Sequence, residues 1–210
     1  DGPAAAERPD GVSPVGGEFF MHSTMLLLGR LVSETVGFYN RRFALERKDV
    51  VRIYTNLARA ARHKGYREKA VAAYQEIVRL NQRDAEAQLQ LGLLYLEQGE
   101  HERAANALRA AVRLKPTAAE AHFRLGLCLL KQQNLDGAVQ SLAKAVEREP
   151  DNARAHHRLG LIYDKQGKTE EAIGALKKAI ALDPQEVRFH QQLGFVYEGA
   201  ARHEEAVVCF

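Results

Sequence analysis

Residues 85–118 read AEAQLQLGLLYLEQGEHERAANALRAAVRLKPTA, and this stretch decides the fold. Its apolar residues recur at helical spacing in two runs, which Gly99 separates and Pro116 ends. Glycine accepts the left-handed backbone that closes a helix, and proline lacks the amide hydrogen that would extend one. The stretch therefore predicts a helix, a tight turn and a second helix.

The same pattern recurs along the chain with a period of 34 residues. Numbered from the first residue of each repeat, units 1 to 5 begin at Val51, Ala85, Ala119, Ala153 and Val187. Small side chains at positions 8 and 20 let two helix backbones approach closely, and Pro at position 32 stops the second helix. These residues are Gly92, Gly126, Gly160, Gly194, Ala104, Ala138, Ala172, Pro116, Pro150 and Pro184. The chain is therefore predicted to be an all-α array of stacked helix pairs.

Three segments at positions 7 to 11 share one further motif: LGLLY (91–95), LGLIY (159–163) and LGFVY (193–197). Together with the periodic Ala and Pro residues, they resemble the tetratricopeptide repeat (TPR) family over residues 51–210. The resemblance implies an all-α fold, a TPR helix-turn-helix solenoid forming a right-handed superhelix. It also implies that the concave face, lined mainly by the first helix of each unit, binds partners. Unit 1 departs from the pattern, because Ala58 occupies the position of the repeated glycine.

The region before the repeats has a different composition. Residues 1–22 mix Pro, Gly, Ala and charge without a period, which predicts a flexible linker or leftover expression sequence. Residues 23–50 are predicted to be a helical segment or a degenerate first repeat, because eight apolar residues follow one helical stripe. They are Leu27, Leu28, Leu31, Val32, Val36, Tyr39, Phe43 and Leu45. The repeats divide into TPR 1 (51–84), TPR 2 (85–118), TPR 3 (119–152), TPR 4 (153–186) and a partial TPR 5 (187–210).

Three roles stay open for the segment 23–50. It covers the exposed end of unit 1, as solenoids require, or it is an assembly element that docks on another copy of the chain. A membrane-surface helix is the third role, which is disfavoured because Arg30, Glu34 and Arg41 mix both signs. The chain does not begin with Met, so a signal, lipid anchor or membrane helix upstream also stays open.

Composition and motifs exclude several classes of protein. With 46% hydrophobic and 27% charged residues and a formal net charge of +3, the chain is predicted to be folded. No apolar run approaches the ~20 residues of a membrane span. Two distant cysteines, Cys128 and Cys209, fit a reducing compartment, which predicts a cytoplasmic protein with at most peripheral contact to a membrane. No phosphate-binding, nucleophile or zinc-protease motif occurs, so neither an enzyme nor a cofactor is predicted.

The histidines at position 4 of three units, His122, His156 and His190, could suggest a metal site. Neighbouring helices lie ~8–10 Å apart, whereas the ligands of one metal ion must converge within ~2.0–2.3 Å of it. We therefore expect these side chains to pack between units and predict no metal.

The basic charge is concentrated in unit 1. Residues 51–84 hold eight Lys and Arg against three Asp and Glu, a surplus of +5. One interpretation is a solvated outer face, and another is a site for an acidic partner formed by Arg52, Arg59 and Arg62 at positions 2, 9 and 12. A nucleic-acid site is disfavoured, because aromatic residues are not interleaved with the basic ones.

The TPR template places an apolar strip between these arginines and two further cations. The Lys and Asn residues with which co-chaperone TPRs grip a C-terminal carboxylate are missing from positions 5 and 9. The predicted groove residues are Arg52, Arg59, Arg62, Leu89, Leu93, Leu96, Phe123, Leu127, Leu130, Arg154 and Lys165. About half of the leucines are expected to pack internally, and the remainder would suit an amphipathic helix or apolar peptide.

The sequence thus predicts a scaffold or adaptor that binds proteins or peptides in a concave groove, including its own N-terminal region. Partners are predicted to be other proteins, other copies of the chain and no nucleic acid, with only indirect contact to an organelle membrane. Two alternatives stay open: the TPR portion of a longer secretion or pilus-assembly factor, and the targeting arm of a glycosyltransferase.

Overall fold

The computed structural model describes residues 47–209, which form ten α-helices and no strand within that range. The helices are α1 Arg47–His63, α2 Arg67–Leu80, α3 Ala85–Glu97, α4 His101–Leu114, α5 Ala119–Lys131, α6 Leu135–Arg148, α7 Ala153–Lys165, α8 Thr169–Leu182, α9 Val187–Gly199 and α10 His203–Cys209. Contacts run mainly between helices adjacent in the chain, with lighter contacts between α3 and α5 and between α7 and α9. The predicted all-α fold class is confirmed.

Four first helices begin at position 1 of their units, at Ala85, Ala119, Ala153 and Val187. The first helix of unit 1 begins earlier, at Arg47, four residues before the predicted start of that unit. An acidic residue in the first turn, Asp49, interacts favourably with the helix dipole there. The last residues of the predicted segment 23–50 therefore belong to α1, and residues 1–46, on which the linker prediction falls, lie outside the described residues.

The glycine at position 8 marks the closest approach of the two helices within a unit. A Cβ added to Gly92, Gly126 or Gly160 would lie 2.6–2.7 Å from the Cγ of the leucine at position 24. Those leucines are fully buried: Leu108, Leu142 and Leu176. The second helix presents its own small residues, Ala104, Ala138 and Ala172, all 0% exposed. Glycine therefore recurs at position 8 because this helix contact leaves no room for a side chain there.

Position 15, where each first helix ends, has a left-handed backbone in every unit. Gly65, Gly99 and Gly167 have φ of 76°, 76° and 71°, and the same position is held by Gln133 at φ 61° and Ala201 at φ 58°. The following amide closes the turn; in unit 3 the Asn134 N–H donates to the Leu129 carbonyl at 2.9 Å. This is the hydrogen bond of a Schellman C-cap, which glycine forms without steric cost.

Replacement of Gln133 by Gly is expected to stabilise the protein by about 1 kcal/mol, because the left-handed backbone strains a residue that has a Cβ. Denaturant unfolding of the purified variant would measure the change. Gln132→Gly is the matched control. Gln132 has φ −82° and its side chain donates to the His101 carbonyl at 3.1 Å, so its loss should destabilise. Equal effects of the two glycines would contradict the assignment of strain to position 15.

Neighbouring units are joined by a histidine at position 4. The Nε2 atoms of His122, His156 and His190 lie 3.0, 2.9 and 3.0 Å from the carbonyl oxygens of Pro116, Pro150 and Pro184. Each ring thus ties the first helix of one unit to the turn that precedes it. These contacts confirm the prediction that the histidines pack between units.

Positions 3 and 7 show how the first helices are buried from unit to unit. In units 2 to 5 their side chains are at most 7% exposed, because the second helix of the preceding unit covers them. They are Ala87, Leu91, Ala121, Leu125, Ala155, Leu159, Phe189 and Leu193. In unit 1 the same positions hold Ile53 and Leu57, which are 50% and 52% exposed. Within residues 47–209, α1 therefore lacks the preceding helix that buries this face elsewhere.

Candidate functional site: a groove on the first helices

Three clefts lie at successive junctions between the first helices. The N-terminal cleft, between units 1 and 2, has a volume of about 500 Å³, the middle cleft about 340 Å³, and the C-terminal cleft, reaching from unit 3 to unit 5, about 580 Å³. Their linings share residues at positions 2, 3 and 34, so they open along the same edge of the array. We use the name groove for these clefts together with the side chains at positions 5, 9 and 12 of the first helices.

The predicted apolar strip lies on this surface but is only partly accessible. Leu89, Leu93, Leu96, Leu127 and Leu130 are half-buried. Except for Leu93, they pack against the buried core. Phe123 is only 5% exposed, so it belongs to the core and contributes just an edge to the C-terminal cleft. Sequence periodicity indicates the face of a helix but not how much of a large side chain its neighbours cover.

Two apolar residues extend the strip beyond the predicted set. Leu161 and Phe195 occupy position 9 of units 4 and 5; Leu161 is half-buried and Phe195 is 57% exposed. Together with Leu93 and Leu127 they form a ladder of one apolar side chain per first helix from α3 to α9. The signal was available in the sequence, because position 9 is apolar in four successive units.

The predicted cations occupy different places. Arg59 and Arg62 line the N-terminal cleft and Arg154 lines the C-terminal cleft. Arg52 lines neither; it is 76% exposed and pairs with Asp49 at 3.2 Å. Lys165 is exposed at the last residue of α7 and also lies outside both linings. Three of the predicted cations, Arg59, Arg62 and Arg154, therefore lie at junctions between units. The other two, Arg52 and Lys165, are exposed to solvent outside both clefts.

The C-terminal cleft combines arginines with an aromatic wall. Arg124 pairs with Glu120 at 2.6 Å and Arg188 lies 3.6 Å from Glu186, whereas Arg154 and Arg158 form no ion pair within the described part of the chain. Four acidic residues from the turns between units complete the lining: Glu149, Asp151, Asp183 and Glu186. Most of this cleft could not be predicted from the sequence, because residues from positions 2, 6, 31 and 34 of three units converge only in space.

His157 and Phe189 form the aromatic wall, with ring centroids 4.7 Å apart and planes tilted by 33°. Burial lowers the pKa of His157 below its ordinary value, and the positive charge of Arg158 lowers it further. The imidazole is therefore neutral at pH 7 and presents an uncharged aromatic surface to the cleft. Such a wall beside unpaired guanidinium groups suits polar and apolar peptide side chains together.

A polar chain crosses the N-terminal cleft. Arg62 Nη1 donates to Gln90 Oε1 at 2.6 Å, and Gln90 Nε2 donates to Glu86 Oε1 at 2.7 Å. A second nitrogen of Arg62 lies 3.7 Å from Glu97. Arg62 is thus held against α3 by two partners, Gln90 and Glu97, and fixes the junction between units 1 and 2.

Metal-ligating side chains do not cluster in the described part of the chain, and its two cysteines are protonated. Residues 47–209 contain no group of three or more His, Cys, Asp or Glu side chains that could hold a metal ion. Burial raises the pKa of the Cys128 and Cys209 thiols, so both remain protonated at neutral pH. The Cys128 thiol donates to the His101 carbonyl at 2.9 Å, a structural contact.

No helix within residues 47–209 is long and apolar enough to cross a membrane.

Stacked helix pairs with a groove along their first helices define a TPR solenoid, the predicted fold. The chain belongs to the family described as the Cilia and flagella-associated protein 70 C-terminal domain, whose model matches residues 26–210. No curated protein gave a match.

Solved structures with the same architecture include two of MamA. A crystal structure of MamA has 31% sequence identity and a TM-score of 0.75, covering 78% of this chain and 89% of that one. MamA from residue 41 to its end, from Desulfovibrio magneticus RS-1, has 32% identity and a TM-score of 0.73, covering 77% and 92%. These values confirm the resemblance to MamA that is visible in DVVRIYTNLARAARHKGYREKAV (49–71) and YEGAARHEEAVVCF (197–210).

YrrB, described as a TPR protein with an unusual peptide-binding site, shares the fold at 22% identity. Its TM-score is 0.68, and the match covers 74% of this chain and 80% of that one.

Proposed function

We propose that this chain is a protein–protein interaction scaffold that holds an apolar segment of a partner in its groove. The observation that carries the proposal is the position-9 ladder, formed by Leu93, Leu127, Leu161 and Phe195 along four successive first helices. Membership in a TPR family supports a role in binding proteins, and the peptide-binding site of YrrB is a precedent on the same fold. The proposed role is that of an adaptor and not of an enzyme.

The chemistry of the groove favours an amphipathic partner. Half-buried leucines present narrow apolar edges and no deep cavity, so affinity would come from several small contacts in line. The charged clefts at both ends would favour partner segments with complementary polar residues beside the apolar ones. A helix with apolar residues at i, i+3 or i+4, and i+7 meets both requirements.

Selection from a library of random twelve-residue peptides displayed on phage, with the full chain immobilised, tests this proposal. We expect the enriched peptides to share apolar residues at helical spacing and to bind in solution when labelled with fluorescein. Recovery of no peptide above the level of an uncoated surface would contradict the proposed function, as would enrichment of peptides without apolar residues.

We also propose self-association, in which residues 23–46 of one copy, the part of the segment 23–50 that precedes α1, enter the groove of another. Residues 23–46 lie outside the described residues, and the support is their apolar stripe together with the apolar ladder of the groove. The resemblance to MamA favours a cytoplasmic scaffold on an organelle membrane, as in magnetosomes, and this setting is part of the proposal.

Deletion of residues 1–46 is expected to convert an assembling protein into a monomer, measured by multi-angle light scattering across a concentration series. A segment that enters a neighbour's groove makes a head-to-tail contact, and such contacts grow into chains or rings. The shortened protein should keep its helicity, because each unit contacts only its neighbours. Oligomers of unchanged size would contradict the proposed self-association, and aggregation with lost helicity would favour a capping role instead.

A further inference from the structure

Unit 1 departs from the repeat at position 9, which belongs to the groove, and at position 24, which is internal in units 2 to 4. Position 9 is apolar in units 2 to 5 but is Arg59 in unit 1. Position 24 is a fully buried leucine in units 2 to 4 but is Tyr74 in unit 1. The glycine that faces position 24 elsewhere is Ala58 here, so the tight packing of leucine on glycine is absent from this unit.

Both departures meet in the N-terminal cleft. Arg59 and Tyr74 line it together with Thr55 and Arg62, and Ile77 contributes an apolar part of the wall. The cleft, of about 500 Å³, can admit one or two side chains of a peptide but not a folded element.

The charges that line this cleft are not equally engaged. Asp84 accepts a hydrogen bond from the Ala87 amide at 2.9 Å and caps α3, and Glu86 accepts from Gln90 at 2.7 Å. Arg62 is occupied by Gln90 and Glu97. Arg59 is exposed and has no ion pair or side-chain hydrogen bond within residues 47–209. The cleft therefore offers one unengaged guanidinium beside carboxylates that already have partners.

Tyr74 adds a second donor. Its side chain is 5% exposed, and burial raises the pKa of the phenol above its ordinary value, although the nearby charges of Arg62 and Arg59 oppose this. The group is thus a hydroxyl at neutral pH and can donate a hydrogen bond. An aspartate or glutamate side chain accepts both bonds, and a bond from a charged donor is about twice as strong as a neutral one.

We propose that the N-terminal cleft binds an aspartate or glutamate side chain of the partner segment, with Arg59 and the Tyr74 hydroxyl as its donors. The inference rests on the proposed function and specifies the direction in which the segment lies along the groove. The acidic residue lies at the unit 1 end of the bound segment, and the apolar anchors lie over units 2 and 3, because a twelve-residue helix spans only about 18 Å. The local surplus of +5 over residues 51–84 favours the same end electrostatically.

The test uses the full chain and the peptides selected above, resynthesised with an amidated C-terminus and a fluorescein label. We expect the selected sequences to share an acidic residue to one side of the apolar ones. Exchange of that residue for its amide, Glu to Gln or Asp to Asn, should weaken binding about tenfold in fluorescence anisotropy, with a smaller difference at high salt.

Arg59→Gln should weaken the acidic peptide by a similar factor and change the amide peptide by less than twofold, because the uncharged amide forms no ion pair with Arg59. Tyr74→Phe removes only the hydroxyl and should cost about threefold. Arg52→Gln is the matched control, since it removes the same charge from the same helix outside the cleft; we expect less than a twofold change.

Selected peptides without an acidic residue would overturn this inference and leave the proposed function standing, whereas no selected peptide would overturn both. Equal losses in Arg59→Gln and Arg52→Gln would also overturn it, because they would indicate a general charge effect. Dependence on a free C-terminal carboxylate alone would overturn the assignment to a side chain. Circular dichroism melts of each variant show whether the fold is retained.

Discussion

Replacement of Gly126 by Leu is expected to destabilise the protein by about 3 kcal/mol, the upper part of the range measured for overpacked cores. The structure gives the reason directly: even a single Cβ at this residue would lie 2.6 Å from Leu142 Cγ and 3.3 Å from the Ala138 carbonyl oxygen. A carbonyl in a helix cannot move aside as a flexible side chain can, so the two helices of unit 3 must separate. In a thermal melt the loss should lower the Tm by about 10 °C.

Gly174→Ala is the matched control for that experiment. Gly174 lies inside α8, is exposed, and has no neighbour within 4 Å of the place its Cβ would take. Alanine favours a helix interior over glycine by about 1 kcal/mol, so this variant should be slightly more stable than the parent. If Gly126→Leu melted within a degree of the parent while Gly174→Ala behaved as expected, the contact assigned to position 8 would be wrong.

Most of the helical framework follows from the sequence because its signals are local and repeated. The glycine at position 8, the turn at position 15 and the proline at position 32 each impose a constraint on a few adjacent residues. The same constraint recurs at a fixed interval, which removes the ambiguity of a single occurrence. Unit 1 is the exception. Its helix begins at Arg47, where no periodic residue marks the start.

At the left-handed turns, the position of a residue in the repeat predicts its backbone conformation better than its amino-acid type does. Gly65, Gly99 and Gly167 indicate the turn by composition, but Gln133 and Ala201 adopt the same backbone without any local preference for it. Their conformation is imposed by the packing of the flanking helices, which outweighs a local cost of about 1 kcal/mol.

The groove could be predicted only in part, because its clefts combine residues that are distant along the chain. The C-terminal cleft brings Arg124, Arg154 and Arg188 together from three units, with acidic side chains from the turns between them. A list of positions on one helix face includes Arg154 but omits the turns. The template also overstates accessibility, since Phe123 is nearly buried while Phe195, left out of the predicted strip, is 57% exposed.

The repeat itself indicates where to look for function. Residues that keep the period serve the packing of one unit on the next, and a change in any of them is expected to cost stability. Residues that break it in a single unit, such as Arg59, are not required by that packing. Function is therefore expected to concentrate at the departures, and stability at the residues that recur.

The double variant Leu93→Asp with Leu127→Asp is expected to reduce the binding of a selected peptide at least a hundredfold, beyond the range of an anisotropy titration. Each substitution puts a charge into the apolar ladder, where a bound segment would strip it of water without a partner, and truncated hot spots cost about 2 kcal/mol or more each. Both leucines are half-buried, so some stability will be lost as well.

Leu182→Asp is the matched control, because Leu182 is 41% exposed at the end of α8, a second helix that lines none of the three clefts. It makes the same chemical change away from the groove and should leave peptide affinity unchanged. Far-ultraviolet circular dichroism must show the helicity of the double variant to be retained before its lost binding is assigned to the ladder. Full affinity in a folded double variant would place the partner on another surface, and an equal loss in Leu182→Asp would mean that added negative charge, and not the ladder, had repelled the peptide.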